Sequence, residues 1–318
     1  MLRKIDWESQ IGRRLKLRDL YVFLTVIQRR SMAKAAQELG VSQPAVSEVI
    51  ADLEHALGVR LVDRNARGIE PTIYGVTLLK RTLAAFDELK QGIKDIEFLS
   101  DQTAGEVRIA APPALATGFA AVVIDRLARQ HPRIVCHFAV VDTTYRALEA
   151  REVDLMIAMM VEPIAEDQIE AELLYDDLRF VVAATKNPWS RRRALTLADL
   201  VSEPWTLPPP ASPAGAAVAQ SFRAAGLDPP NPTVVSPSGA ARVALVAEGR
   251  FLTIAAESIF RFAGRDMGVK ALPIKLPGIR RPVVILTLKN RTLTRVAQTF
   301  IECARQVASQ LKNKSASR

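Results

Sequence analysis

The chain has 318 residues, of which 49% are apolar, 24% charged and 6% aromatic. These are globular values that exclude a fibrous or largely disordered protein, and the length suits about two domains. A net charge of +9, from 43 basic and 34 acidic residues, permits a polyanionic partner without requiring one.

Residues 1–16 form a basic extension, with Arg3, Lys4, Arg13, Arg14 and Lys16. It reads as an arm along a polyanion, a tail or a misassigned start. Its opening residues carry charges where an export signal has its apolar stretch, so a cytoplasmic protein is expected. From Leu17 the apolar spacing turns helical, through Leu20, Leu24 and Ile27. Ser31 can cap a short helix whose small residues Ala35 and Ala36 admit a close neighbour, and Gly40 supplies a tight turn. Ser42 can cap the next helix, with Pro44 in its first turn. Its buried stripe is then Val46, Ile50, Leu53 and Leu57, and Gln43, Pro44, Ser47, Glu48 and Ala51 lie opposite. By pattern alone this is either an ordinary helical hairpin with a solvated polar face or a helix-turn-helix. Arg60 and Arg64 then lead to Asn65-Ala66-Arg67-Gly68, a turn with a basic tip, before Ile69-Glu70-Pro71-Thr72 returns the chain like a β-wing. Residues 1–67 hold twelve Lys or Arg against eight acids, which makes this the part to meet phosphates.

Residues 73–99 predict one long helix whose apolar positions Val76, Leu79, Leu83, Phe86, Leu89, Ile93 and Ile96 step by threes and fours. Such a narrow stripe pairs with a second helix. Beyond Gly105, β-like runs at 107–111, 134–141, 155–160, 180–184, 233–235, 252–255 and 283–288 alternate with helical runs at 119–130, 144–150, 216–225, 240–247 and 293–311. The alternation predicts α/β layers with mainly parallel sheets, crossing between two lobes near residues 185 and 270. No apolar run reaches the roughly 18–20 residues of a membrane span, so no membrane partner is expected. No nucleotide, serine-hydrolase or zinc-protease motif occurs, and His55, His131 and His137 are scattered. No enzyme, cofactor or metal is therefore expected. Cys136 and Cys303 make no disulfide framework, and neither sits in an electropositive loop that would suit an oxidant-sensing pair.

Residues 17–81 resemble the N-terminal domain of the LysR-type transcriptional regulators. The likeness rests on Leu17…Leu20…Phe23…Val26, Ala35-Ala36…Leu39 and Ser42-Gln43-Pro44-Ala45-Val46-Ser47. It continues through Ile50…Leu53-Glu54…Leu57-Gly58…Leu61, Arg64 and Pro71-Thr72…Gly75. A looser likeness runs on to about residue 310, through Gly105-Glu-Val-Arg-Ile and Glu152-Val153-Asp154-Leu155. Leu195-Thr-Leu-Ala-Asp-Leu200 with Pro204-Trp205 and Pro208-Pro209-Pro210 resembles the branch that includes a galactose-binding-protein regulator.

The resemblance implies a winged helix-turn-helix at 17–72, a linker and dimerisation helix at 73–100, and an effector domain at 101–318. The effector domain would be α/β, two-lobed and like a periplasmic binding protein, with lobe 1 about 104–184 and 271–310 and lobe 2 about 185–270. It implies a homodimer assembling to a homotetramer on double-stranded operator DNA, with RNA polymerase as a further partner. Gln43 is then the first candidate base reader. Ser42 and Ser47 are phosphate contacts, Pro44 lies beside them, and Arg30, Lys34, Arg60, Arg64 and Arg67 are phosphate anchors. Glu48 departs from the family, which commonly carries Arg or Lys there; it either accepts from a cytosine amine or simply faces solvent.

A small effector, a carboxylate or a sugar, is expected between the lobes, beyond the strand ends. The candidates are Pro112, Pro113, Thr117, Thr143, Thr144, Met159, Pro209, Ser236 and Ser238. The Pro-Pro-Ala loop lacks a hydroxyl that many relatives carry. Ligand binding would then shift the lobes and change the separation of the DNA-reading heads. A transport component, or an enzyme with a fused DNA-binding head, is the competing class.

Overall fold

The computed structural model describes residues 15–315, apart from 66–67, 142–144, 161–163, 165–166, 257–266, 275 and 277–279; at 213, 280 and 311–315 it gives the backbone alone. The chain divides into one unit that reaches Ile93 and another that begins at Lys94.

In the first unit, α1 (Leu17–Arg29), α2 (Met32–Leu39) and α3 (Gln43–Leu57) precede a two-stranded ribbon of β1 (Val62–Asn65) and β2 (Gly68–Pro71). The long helix α4 (Ile73–Ser100) follows. The predicted caps form. The Ser31 hydroxyl accepts from the Lys34 N–H at 3.3 Å, and the Ser42 hydroxyl from the Ala45 N–H at 3.4 Å. Gly40 turns the chain in the left-handed region at φ 65°. Phe23, Val26, Ala35, Val46, Ile50 and Leu53 are buried together, so α1–α3 share one small core.

Two polar ties fix the ribbon on it. One Glu54 oxygen accepts from the N–H groups of Leu61 (2.7 Å) and Val62 (3.2 Å). Thr72 donates its N–H to the Leu61 carbonyl at 2.9 Å and its hydroxyl to the Arg60 carbonyl at 2.7 Å, while that hydroxyl accepts from the Gly75 N–H. A Cβ at Gly75 would lie 2.0 Å from the Leu61 carbonyl oxygen, so only glycine lets α4 start here. Along α4 the burial inside the unit falls on Gly75, Thr82, Asp87 and Gln91, while Ile73, Val76, Leu89, Ile93, Ile96 and Leu99 are exposed. Most of the predicted stripe is thus uncovered.

The second unit is built on a seven-stranded sheet ordered β10-β6-β11-β5-β3-β4, with β9 also on β6. Its strands are β3 (Ala104–Ala111), β4 (Arg133–Val140), β5 (Leu155–Met159), β6 (Ile169–Ala184), β9 (Thr253–Ala256), β10 (Val269–Ala271) and β11 (Arg280–Leu288). A separate parallel pair joins β7 (Thr206–Leu207) to β8 (Val234–Val235). The sheet is mixed, where a mainly parallel one is expected from the sequence. β3 is parallel to β4 and β5, but β11 is antiparallel to both β5 and β6. The cause is β6, sixteen residues long, whose first half pairs with β11 as far as Leu178 and whose second half pairs with β9 from Arg179. This change of partner, with β11 resuming at Arg280, carries the chain between lobes, whereas the sequence places the crossings near 185 and 270.

Lobe 1 packs α5 (Ala121–Gln130) and α8 (Arg295–Ser315) on the sheet around Phe119, Leu127, Leu155 and Phe300. A buried ion pair joins Asp154 to Arg291 at 2.8 Å, and the second Asp154 oxygen accepts from the Arg108 N–H at 2.8 Å. The Glu152-Val153-Asp154-Leu155 motif is therefore a structural tie. Lobe 2 holds α6 (Pro213–Ala224) and α7 (Gly239–Ala247) around Trp205. The Trp205 ring meets Phe222 edge-on at 5.6 Å and donates its N–H to the Leu200 carbonyl. Among the described residues no helix is long and apolar enough to cross a membrane.

Gly75→Ala should destabilise the first unit by about 1–3 kcal/mol, because the clash is with backbone and cannot be relieved by a rotamer change. A urea melt of the full chain checks this; an unchanged midpoint would refute the packing argument.

Candidate nucleic-acid interface and effector cleft

Capping by Ser42 and the proline at the start of α3 set the leading edge of that helix. Ser42, Gln43, Pro44 and Glu48 are exposed there, Ser47 is half-buried, and Val46 and Ile50 point into the core. Nothing within the first unit walls this edge off. Lys34 on α2, Arg60 ahead of β1 and Arg64 on β1 are exposed, as is Arg30 at the end of α1. None of the four side chains has an ion-pair or hydrogen-bond partner among the described residues. Arg29, by contrast, bonds Glu38, and that guanidinium holds the carboxyl below its usual range.

Arg30 also has a backbone role. It sits in the left-handed region at φ 51°, and its carbonyl accepts from the Ile69 N–H at 3.0 Å. A Cβ at Gly68 would come within 2.7 Å of that same oxygen, so the ribbon's backbone lies directly against the end of α1. Arg67 lies outside the described residues.

In the second unit a cleft of about 710 Å³ opens between the lobes. Lobe 1 supplies Pro112, Pro113 and Thr117, from the helical segment Pro113–Leu115 and a π-helical turn at Ala116–Ala120, together with Met159 from the end of β5. Lobe 2 supplies Ser238 and the first residues of α7. Five of the expected effector residues therefore line one cleft, from both lobes. Pro209 and Ser236 do not; the Pro209 carbonyl accepts from the Ser212 hydroxyl and N–H, and that of Ser236 from Arg242. Pro208, Ser212 and Pro237 line the cleft in their place. Thr143 and Thr144 lie outside the described residues.

The sequence reading misses three residues that dominate the cleft chemically: Arg179 on β6, Arg242 on α7 and Arg281 on β11. No aspartate or glutamate is among the described lining residues. Arg179 reaches the Met159 sulfur at 3.5 Å, and Arg242 donates to the Ser236 carbonyl at 2.5 Å. The Nε of each is buried without a partner among the described residues. Arg242 carried a usable signal, one charge in the small apolar run Gly-Ala-Ala-Arg-Val-Ala-Leu-Val-Ala. Arg179 and Arg281 gave none, because they meet only through strand pairing.

Among the described residues no group of three His, Cys, Asp or Glu side chains is arranged to hold a metal. Cys136 and Cys303 are free thiols that burial pushes up, and the Cys303 thiol donates to Gln130.

Comparison with known proteins adds identity to this geometry. Residues 17–82 match the family model described as the bacterial regulatory helix-turn-helix protein, lysR family. Residues 100–309 match the LysR substrate binding domain. The chain is 30% identical over 295 residues to the HTH-type transcriptional regulator GbpR of Azospirillum brasilense, covering 92% of this chain and 86% of that protein. It is 28% identical over 305 residues to the transcriptional dual regulator GltC of Bacillus subtilis, covering 94% and 99%. Among solved structures it shares its fold with full-length OxyR of Pseudomonas aeruginosa (TM-score 0.62, 19% identity, 92% and 94% covered). It likewise matches full-length CbnR complexed with its target DNA (TM-score 0.54, 22% identity, 92% and 100% covered).

The cleft arginines are held at a cost. Burial is the main reason that Arg242 falls to about 10, and the neighbouring Arg179 charge adds to it. Arg179 is itself lowered, by burial first and by Arg281, with Asp177 acting the other way. Repulsion among these guanidiniums is present in the folded state and absent from the unfolded chain. Arg242→Met should therefore raise the melting temperature of the ligand-free protein, a gain typical of sites kept for function. A drop in a calorimetric melt would mean that the Ser236 bond outweighs the repulsion.

Proposed function

The chain belongs to the LysR family of DNA-binding transcription regulators, and from that premise we propose how its own residues read DNA and answer a ligand. The observation that carries the reading is the open leading edge of α3, rimmed by four basic side chains without ion-pair or hydrogen-bond partners among the described residues. Residues 17–72 form the DNA-reading head, 73–100 the dimerisation helix and 101–318 the effector domain.

With α3 in the major groove, the Gln43 amide bridges adenine N6 and N7, while Ser42 and Ser47 hydrogen-bond phosphates. Arg30, Lys34, Arg60, Arg64 and Arg67 neutralise the backbone on either side and carry no base preference. Glu48, exposed in the same turns, accepts from a cytosine amine or stays in solvent.

The exposed Val76, Leu89, Ile93 and Ile96 of α4 pair with a second copy, which gives a homodimer on two half-sites of an interrupted palindrome. Effector domains join dimers into a tetramer. A small organic ligand in the inter-lobe cleft changes the lobe angle, and with it the separation of the heads and the contact with RNA polymerase. This is two-state bias by differential affinity. The protein works in the cytoplasm and catalyses no reaction; turnover of a small molecule would favour the enzyme reading instead.

Footprinting on its own upstream DNA should protect a specific site, with log affinity falling linearly against log salt. Gln43→Ala should relax base choice at one position by about 1–3 kcal/mol, whereas Arg64→Ala should weaken all sequences alike. Specificity unchanged by Gln43→Ala would remove that residue from base reading, and a loss confined to one operator would do the same for the phosphate role of Arg64. Ile93→Glu should shift the species seen by light scattering towards the monomer; an unaltered mass would rule out pairing through α4.

A further inference from the structure

We infer that the natural ligand of the cleft is an organic dianion with an apolar body, its charge held by Arg179, Arg242 and Arg281. This rests on the reading of the cleft as the effector site and deepens it to a chemical class.

Charge sets the class. Among the described residues three guanidiniums border the cleft and no carboxylate lines it. The described carboxylate that acts on Arg179 is the buried Asp177, which stands opposite Arg281 in the β6–β11 register. Among these described groups three positive charges less one leave two, which a ligand of charge −2 balances.

Hydrogen bonding points the same way. The Arg242 side chain is 7% exposed, yet its Nε has no partner among the described residues, and the Arg179 Nε is in the same state. A buried donor left unmade is costly, and a dianion offers enough acceptor lone pairs for donors on two or three arginines at once. In lobe 1 the prolines remove the alternative. Pro113 has no N–H, and the Leu115 and Ala116 N–H groups return to the Pro112 carbonyl, so that helix start offers an anion little. The remaining walls are mainly apolar, with Val140, Met159, Val243, Ile254 and Met267 beside Thr117, Ser212, Ser238 and Thr253, which suits a largely hydrocarbon or aromatic body better than a polyol.

Position gives the charge its consequence. Arg179 is the residue at which β6 leaves β11 and joins β9, and Arg242 stands on a lobe 2 helix. A dianion bridging them draws α7 toward the crossing strands.

The test uses the full chain with four probes of one ring size at fixed ionic strength and pH 8: benzyl alcohol, benzoate, phthalate and phenyl phosphate. Titration calorimetry should show phthalate or phenyl phosphate binding at least about tenfold tighter than benzoate, the worth of one added charged hydrogen bond. The stronger of the two tells a dicarboxylate from a phosphate ester. Arg242→Gln and Arg281→Gln should each reduce that dianion to the level of benzoate, and Ala240→Trp, an exposed wall residue, should block every probe. Equal binding of benzoate and the dianions, no binding by either dianion, or dianion binding that survives both arginine substitutions would overturn the charge assignment. Benzoate binding lost in Ala240→Trp would leave the cleft standing as the ligand site while the dianion falls. Dianion binding untouched by Ala240→Trp would reject the cleft itself.

Discussion

The effector domain depends on one strand serving two lobes. β6 gives its first half to β11 and its second to β9, so its backbone is pinned by hydrogen bonds on both sides of the crossing. A ladder of this kind resists stretching but tolerates twist, which restricts the lobes to rotation about the ribbon instead of free separation. Arg179 stands at that pivot, with Arg281 on the neighbouring strand. A charge arriving there acts where a small twist moves the most mass.

The DNA-reading unit follows a different economy. Its core is small, and its geometry is fixed by backbone contacts where other proteins use large side chains. Thr72 and Glu54 both bond main-chain groups of residues 60–62 at the base of the ribbon, and Gly75 lets α4 touch the Leu61 carbonyl. Local hydrogen bonds carry little net free energy each, but leaving any of them unmade in a partly buried site is expensive. Precision in the leading edge of α3 therefore comes from satisfied polar groups beneath it.

Where the determinants were local, sequence reading reached them. Ser31, Gly40, Ser42 and Pro44 lie within one or two turns of what they control, and the apolar stripe of α3 has the helical period that its burial shows. The basic rim was legible as composition, with the side chains of Arg30, Lys34, Arg60 and Arg64 unpaired among the described residues. The first half of β6 was not legible. Glu170, Glu172, Asp176 and Asp177 break its apolar alternation, and what makes it a strand is its pairing with β11, a partner far along the chain. The cleft arginines were hidden for the same reason, being assembled by register and by the approach of a lobe 2 helix. Pro209 and Ser236 are not among the described cleft residues, since a position near a strand end does not say which residues of a loop face the cleft. The aromatic and proline motif around Trp205, read as a mark of lineage, is the interior of lobe 2.

The seating of the wing has an evolutionary corollary. Gly68 and Ile69 meet the carbonyl of Arg30 through main-chain atoms, while the Ile69 side chain packs into the core beneath. Asp63 and Arg64 are exposed on β1, so mutations there can revise the chemistry offered to a new operator without re-aiming the hairpin that carries them. Descendants of this gene are free to drift in target preference while inheriting an unchanged mount.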